Sequence, residues 1–330
     1  MVRFIPGLGG SRQPDSPRNP GQSISGQLAF WLGRATFGAS VHLGSIDVTP
    51  VVHAGPFGDA PVLLHDAIAS GELKMMERGA GGSVNAVVAC NEGKRPVLIL
   101  EGESIVGAKQ NRVVTMDVLV GAGAGVEVPV GCVEQGRWHH TSKEFRSGDM
   151  PVEPTLRART VREMGEDGQL NQGRLWGEVA AKLERHEMRS HSGDYHEVTS
   201  RKRGELEAQL KDMPRVGNQV GMIAFLDGQL LAMDLLGHPD NWASMAERLT
   251  KAYLLAGMDA PAMAGPIAFG GGGPLKSEPV ELWLRRIVGA HVHLRPGVGL
   301  GTHLSLAAPG LNGAGLWNDN GPAHLAVFGA

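Results

Sequence analysis

Apolar residues follow two patterns along the chain. From about residue 40 to residue 140 they form short runs broken by Gly, Pro and Asn, which favours strands over long helices. The runs predict strands at Ile46–Val52, Leu73–Glu77, Val84–Cys90, Pro96–Leu100, Val113–Val120 and Val126–Val130, with one short helix at Val62–Ala69. Alternation in Val113–Val120 is imperfect, which predicts cover on both faces. From Thr141 to Arg215 charges are dense and aliphatic residues return at helical spacing. Leu175, Val179 and Leu183 form one stripe, with Trp176 and Ala180 on an adjoining face, and Asn171 is placed to cap that helix. A further helix starts at Asp194, whose carboxylate is expected to accept from the Glu197 N–H while that glutamate reaches back. Leu206, Leu210 and Met213 supply its buried side.

Beyond Pro214 the strand pattern resumes. Val220–Leu226 and Gln229–Leu236 flank Asp227-Gly228, the signature of a hairpin closed by a type I′ turn. Pro239 and Asp240 open a helix that carries Trp242, Met245, Leu249 and Tyr253 on one face, and Gly257 is expected to end it. Four consecutive glycines, Gly270–Gly273, predict a linker or loop before a last helix at Pro279–Val288. Short strands around Val292 and at His324–Phe328 close the chain. Strands on both sides of a helical block, without regular alternation, predict an α+β fold: an antiparallel β-rich core, sandwich or barrel-like, with an inserted helical block. The divisions expected are a mobile N-terminal arm (1–26), the β-rich core with the motif segments (27–140), the helical block (141–215), and a last part (216–330). The strands of that last part complete the same core or form a second unit.

Composition narrows the class. A chain of 330 residues buries a sizeable core without staples. Glycine, at 48 residues, marks a turn-rich globular chain, and its clusters lack the three-residue period of collagen. A net charge of −3 provides no basic field for nucleic acid. No apolar run approaches the roughly 20 residues of a membrane-spanning helix, and the first residues lack the apolar stretch of a secretory signal. Cys90 and Cys132 form no C-x-x-C pair, so a reducing, cytoplasmic setting is expected.

The densest chemistry lies in two segments, Glu101-Gly102-Glu103 through Gly107-Ala108-Lys109-Gln110-Asn111-Arg112, and Cys132-Val133-Glu134-Gln135-Gly136-Arg137-Trp138. If their strands pair, Arg112 and Cys132 become neighbours, with Arg137 near Glu101 or Glu103. The cluster has two readings. As a site, Lys109, Arg112 and Arg137 grip a phosphate or carboxylate, Glu103 or Glu134 does acid–base work, Glu101, Gln110, Asn111 and Gln135 bind the ligand, and Trp138 stacks a base. As structure, Gln110, Asn111 and the Arg–Glu pairs satisfy buried turns and brace the helical block.

These segments resemble the hallmark of the ARG and rhodanese-phosphatase-superfamily-associated protein domain, an uncharacterised bacterial family. Gln172, Gly173, Trp176 and the Gln219–Gly237 hairpin extend the likeness over most of residues 45–330. Gly121–Gly125 and the glycine-rich tail depart from it. The family's name implies the company of ADP-ribosylglycohydrolases and phosphatases, and with it a small phosphorylated or nucleotide-like ligand, related to ADP-ribose or NAD. A non-catalytic interaction or scaffold module is the alternative.

Other chemistry is less well supported by the spacing. Cys132 has His139 or His140 as a base in reach and Glu134 to orient it, but an apolar strand is the context of a core thiol. His291 and His293 share a strand face, with His303 and His324 nearby, as metal ligands require. Gly123, Pro129, Gly131 and Glu134 match the spacing of a second cupin motif with Glu in place of His, which gives a cupin-like metal-binding reading; its first motif is absent. Gly270–Gly273 lead into no Gly-Lys-Ser/Thr, and Gly297–Gly301 lack the strand–turn–helix setting of a dinucleotide fingerprint. No motif specifies a cofactor.

Overall fold

The computed structural model describes residues 24–79, 81–166, 169–259, 280–318 and 321–329. Along the chain the elements are α1 (Ile24–Leu32), β1 (Ala35–Phe37), β2 (Val41–Leu43), β3 (Ile46–His53), β4 (Val62–Leu63), α2 (Leu64–Ala69), β5 (Leu73–Glu77), β6 (Ala86–Asn91) and β7 (Val97–Ile99). Then come β8 (Ser104–Gly107), β9 (Arg112–Val114), β10 (Val118–Val120), β11 (Gly125–Cys132), β12 (Phe145–Ser147), α3 (Pro154–Glu166), α4 (Gln172–Arg185) and α5 (Tyr195–Gln209). The last third holds β13 (Gln219–Leu226), β14 (Gln229–Leu236), α6 (Pro239–Met258), α7 (Val280–Val288), β15 (His291–Pro296), β16 (Val298–Gly299), β17 (Thr302–Ala308), β18 (Leu311–Asn318) and β19 (Gly321–Gly329).

The fold is α+β with a strand-rich core. Its largest sheet takes strands from both ends of the chain: β1, β3, β13, β14, β19, β18, β17 and β15 lie in that order, all antiparallel, with β2 also on β3. A second sheet runs β12-β8-β9-β11-β6-β5, and its end strands come into contact, so it is a nearly closed barrel. A small mixed sheet, β16-β10-β7-β4, completes the set, with β16 parallel to β10 and β4 parallel to β7. The barrel is filled by residues such as Met75, Val87, Ile105, Val128 and Phe145. One face of the large sheet packs on α3 to α6 through Val48, Met222, Leu249 and Tyr253. Its other face is covered by Leu28 and Trp31 of α1 and by Trp283 and Ile287 of α7.

The hairpin expected after Pro214 is present, with Asp227 at φ 49° and Gly228 at φ 75° as a type I′ turn requires. Several boundaries differ. Val113–Val120 is two strands: β9 belongs to the barrel and β10 to the small sheet. The break falls at Asp117, whose buried carboxylate accepts from the Glu101 N–H at 2.8 Å and draws the chain inward. Val84 is exposed and β6 starts at Ala86. Asp194 caps α5 by accepting from His196 N at 3.1 Å, while the Glu197 carboxylate takes the Ser190 hydroxyl instead of closing a capping box. Gly257 does not end α6. The helix runs one residue further, to Met258, and position 257 needs a glycine because Ser45 packs where a Cβ would stand. Residues 24–26, expected in the N-terminal arm, open α1; residues 1–23 and Gly270–Gly273 lie outside the described residues. Beyond α7 the chain forms five strands, β15 to β19, where two were expected. Gly313 and Gly315, of the glycine-rich tail, sit mid-strand in β18, where an added Cβ would lie 2.6 Å from the Ala326 carbonyl and 2.5 Å from that of His324.

Candidate functional site

Antiparallel pairing of β9 with β11 sets Arg112 opposite Cys132, so the two motifs meet at one end of the barrel. What they build there is a closed lattice. The Arg137 guanidinium Nε reaches both Glu134 carboxylate oxygens at 2.8 Å, and Nη1 donates to the Ala108 carbonyl at 2.7 Å. Glu134 also accepts from the Asn111 N–H at 3.1 Å. Asn111 donates to Asp194 at 2.9 Å, and so ties the motif to the first turn of α5. Gln110 donates to the Glu134 carbonyl and accepts from Arg112, both at 2.9 Å. The arrangement needs glycine at position 131, where a Cβ would run into Leu170 and Leu175 and hold α4 away. Gln172 of that helix donates to the Cys132 carbonyl and accepts from its N–H, both at 2.8 Å.

Arg137 therefore pairs with Glu134, and not with Glu101 or Glu103. Those two glutamates lie in the turn between β7 and β8, which engages α3. Gly102, at φ 81°, makes that approach feasible: a Cβ there would lie 2.6 Å from Arg157 Cδ and Nε. Arg157 Nε donates to Glu101 at 2.9 Å, and its other nitrogens reach Asp234 on β14 at 2.7 and 3.0 Å. Asp234 also accepts from the Tyr253 hydroxyl of α6 and, at 2.8 Å, faces His324 Nε2. The other nitrogen of His324 lies 2.8 Å from Asp117. Glu101, Glu103, Asp117, Arg157, Asp234, Tyr253 and His324 are all at most 1 % exposed.

Burial alone would depress the His324 imidazole, but carboxylates on both of its nitrogens outweigh that and hold it at about 10. It is therefore an imidazolium at neutral pH. Burial also pushes the Glu101 carboxyl up, against the pull of Arg157, and raises Glu103 to about 7. Asp117 and Asp234 sit below the ordinary range despite their burial, because His324 serves the first and Arg157 with His324 the second. Glu103 spends one oxygen on the Leu100 N–H at 2.9 Å.

Three of the candidate site residues in the motifs reach the surface. Gln135 is exposed, Lys109 is half-buried, and Trp138 keeps 46 % of its surface open. Lys109 Nζ and Arg112 Cζ each lie 5.4 Å from the Trp138 ring. Glu77 accepts from the Lys109 N–H at 3.0 Å, Lys109 Nζ donates to the Gly81 carbonyl at 2.7 Å, and Arg112 donates to the Ser83 carbonyl at 3.2 Å. An indole ringed by cations and backbone can stack on a flat ring that carries negative charge.

The Cys132 thiol donates to the Glu134 carbonyl at 3.1 Å and burial pushes it up, so it is no activated nucleophile; His139 and His140 are exposed. The carboxylate that cupin-like spacing assigns to a metal is taken by Arg137. The C-terminal histidines do not converge. His324 is clamped between two aspartates, His303 lies 3.3 Å from Arg295 Nε, and His291 and His293 are exposed. Among the described residues no group of three or more His, Cys, Asp or Glu is placed to hold a metal ion. The sequence reading missed Asp117, Arg157, Asp234 and Tyr253. A lone acid in the apolar strand Gln229–Leu236 was the available signal for Asp234, since such a charge is buried only when paired.

No helix among the described residues is long and apolar enough to cross a membrane. No curated protein and no solved structure matches the chain. A family model does, over residues 34–328, and its description is ARG and Rhodanese-Phosphatase-superfamily-associated Protein domain. The chain belongs to that family.

Proposed function

We propose that this member of the family is a non-catalytic binding module, in which the two motifs are the internal frame and the Trp138 face receives a small nucleotide-like or phosphorylated ligand. The observation that carries the reading is the contrast within one motif: Glu134 is 5 % exposed and held by Arg137, while Trp138, four residues beyond Glu134, is 46 % exposed beside two cations. A general acid or base must come within hydrogen-bond reach of the proton it moves. Glu103 and Glu134 are shut from solvent and committed to backbone N–H groups and to Arg137. The phosphatase association in the family's description agrees with a phosphorylated ligand.

Isothermal titration of the wild type and Trp138→Ala with ADP and ADP-ribose tests this. Stacking of a base on an aromatic ring is worth about 1–3 kcal/mol, so the variant is expected to bind about 5- to 150-fold more weakly. Undiminished affinity in the variant, or no binding by the wild type at millimolar ligand, would refute the reading.

A further inference from the structure

We propose a second ligand site, apart from the Trp138 face, between α3 and the β15 edge of the large sheet, and infer a small sugar phosphate as the class of ligand it takes. Register puts His291, Ala307 and Asn312 in one cross-strand row and His293, Ser305 and Ala314 in the next, all on one face. The middle positions are small, which leaves that face hollow, and Arg162 of α3 stands at its rim. The result is a cavity of about 470 Å³ lined by Arg162, His291, His293, Ser305 and Asn312 among others, within the range of small-molecule sites.

Among the described residues nothing compensates the charge here. No Asp or Glu lines the cavity. Among the described residues, the side chains of Arg162, His291, His293 and Ser305 have no hydrogen bond or ion pair. The neighbouring groove between α3 and α4 is larger, about 730 Å³, but there Arg159 is taken by Glu178 and Arg174 by Glu163. An unpaired guanidinium fork beside imidazole and hydroxyl donors is a receptor for phosphate. Asn312 adds a second requirement. It is 7 % exposed, its amide N–H donates to the Ala158 carbonyl at 2.7 Å, and its carbonyl Oδ1 accepts nothing. A buried orphan acceptor is relieved by a ligand that brings a hydroxyl. Phosphate for the rim and hydroxyl for the floor together describe a sugar phosphate.

Titration calorimetry with ribose 5-phosphate, inorganic phosphate and ribose tests the site. Ribose 5-phosphate is expected to bind, and more tightly than either half alone. Arg162→Gln and His293→Gln, both at exposed positions, are expected to weaken it by roughly tenfold or more, with melting unchanged and with Trp138→Ala binding as the wild type does. No heat with ribose 5-phosphate at millimolar concentration would overturn the proposal, as would undiminished binding in both rim variants. Inorganic phosphate binding as tightly as the sugar phosphate would overturn the ligand class, and loss of binding in Trp138→Ala would overturn the separation of the two sites.

Discussion

His324 shows how burial and pairing together set the behaviour of a single residue. Its imidazole ionises near 6.5 in the unfolded chain and at about 10 between Asp117 and Asp234. Its contribution to stability is whole below pH 6.5 and is lost as the pH rises through 10. Glu103 acts in the same direction at lower pH, because a carboxyl that releases its proton near 4.5 when unfolded holds it to about 7 when folded. His303, depressed to about 4 by burial, works the other way and costs stability as pH falls from 6.5. Between pH 7 and 9 His324 is therefore expected to dominate. Wild-type melting temperature should fall across that window, and in His324→Gln the slope should flatten even though the variant melts lower throughout; an unchanged slope would mean that the imidazole is not charged in the fold. None of this was legible from the residue alone, since a histidine in the run Ala323–Phe328 reads equally well as a metal ligand or a strand residue.

At the scale of elements the sequence was most informative where one local rule decides. The Asp227-Gly228 turn and the stripe on α4 are of that kind: Leu175, Val179 and Leu183 are all buried, as spacing alone required. Trp176 is half-buried and Ala180 exposed, so the adjoining face is the rim of the contact. Leu175→Ala should accordingly cost about 2–5 kcal/mol and Trp176→Ala less, in chemical denaturation of the two variants. The reverse order would place the stripe one position away. The expectations that failed depended on partners distant in sequence. Val113–Val120 changes sheets because Asp117 is anchored to residues 16 and 207 positions away. The glycines of β18 mark close strand contact with β19, where composition suggested turns. The meeting of the two motifs was legible, because antiparallel pairing fixes it; the separation of Glu101 and Glu103 from Arg137 was not, because it depends on an arginine in α3.

Across the whole molecule the buried charges join units that the topology leaves separate. Glu101 belongs to the β7–β8 turn, Arg157 to α3, Asp234 and His324 to the large sheet, and Tyr253 to α6, and one network of hydrogen bonds connects them. Glu134, Arg137, Asn111 and Asp194 do the same for the barrel end and α5. Such pairs add little stability over apolar packing, yet each is costly to break, by about 3–5 kcal/mol when one partner is removed, because the other is left charged and buried. The motif charges are thus a frame in which each member is needed by the next. Thermal unfolding of Glu101→Gln and Glu134→Gln, each beside the wild type, tests this most directly. Both substitutions keep shape and remove a charge, so the frame predicts a melting temperature lowered sharply in each; wild-type melting in both would contradict it and return the two glutamates to the role of working groups in an open site.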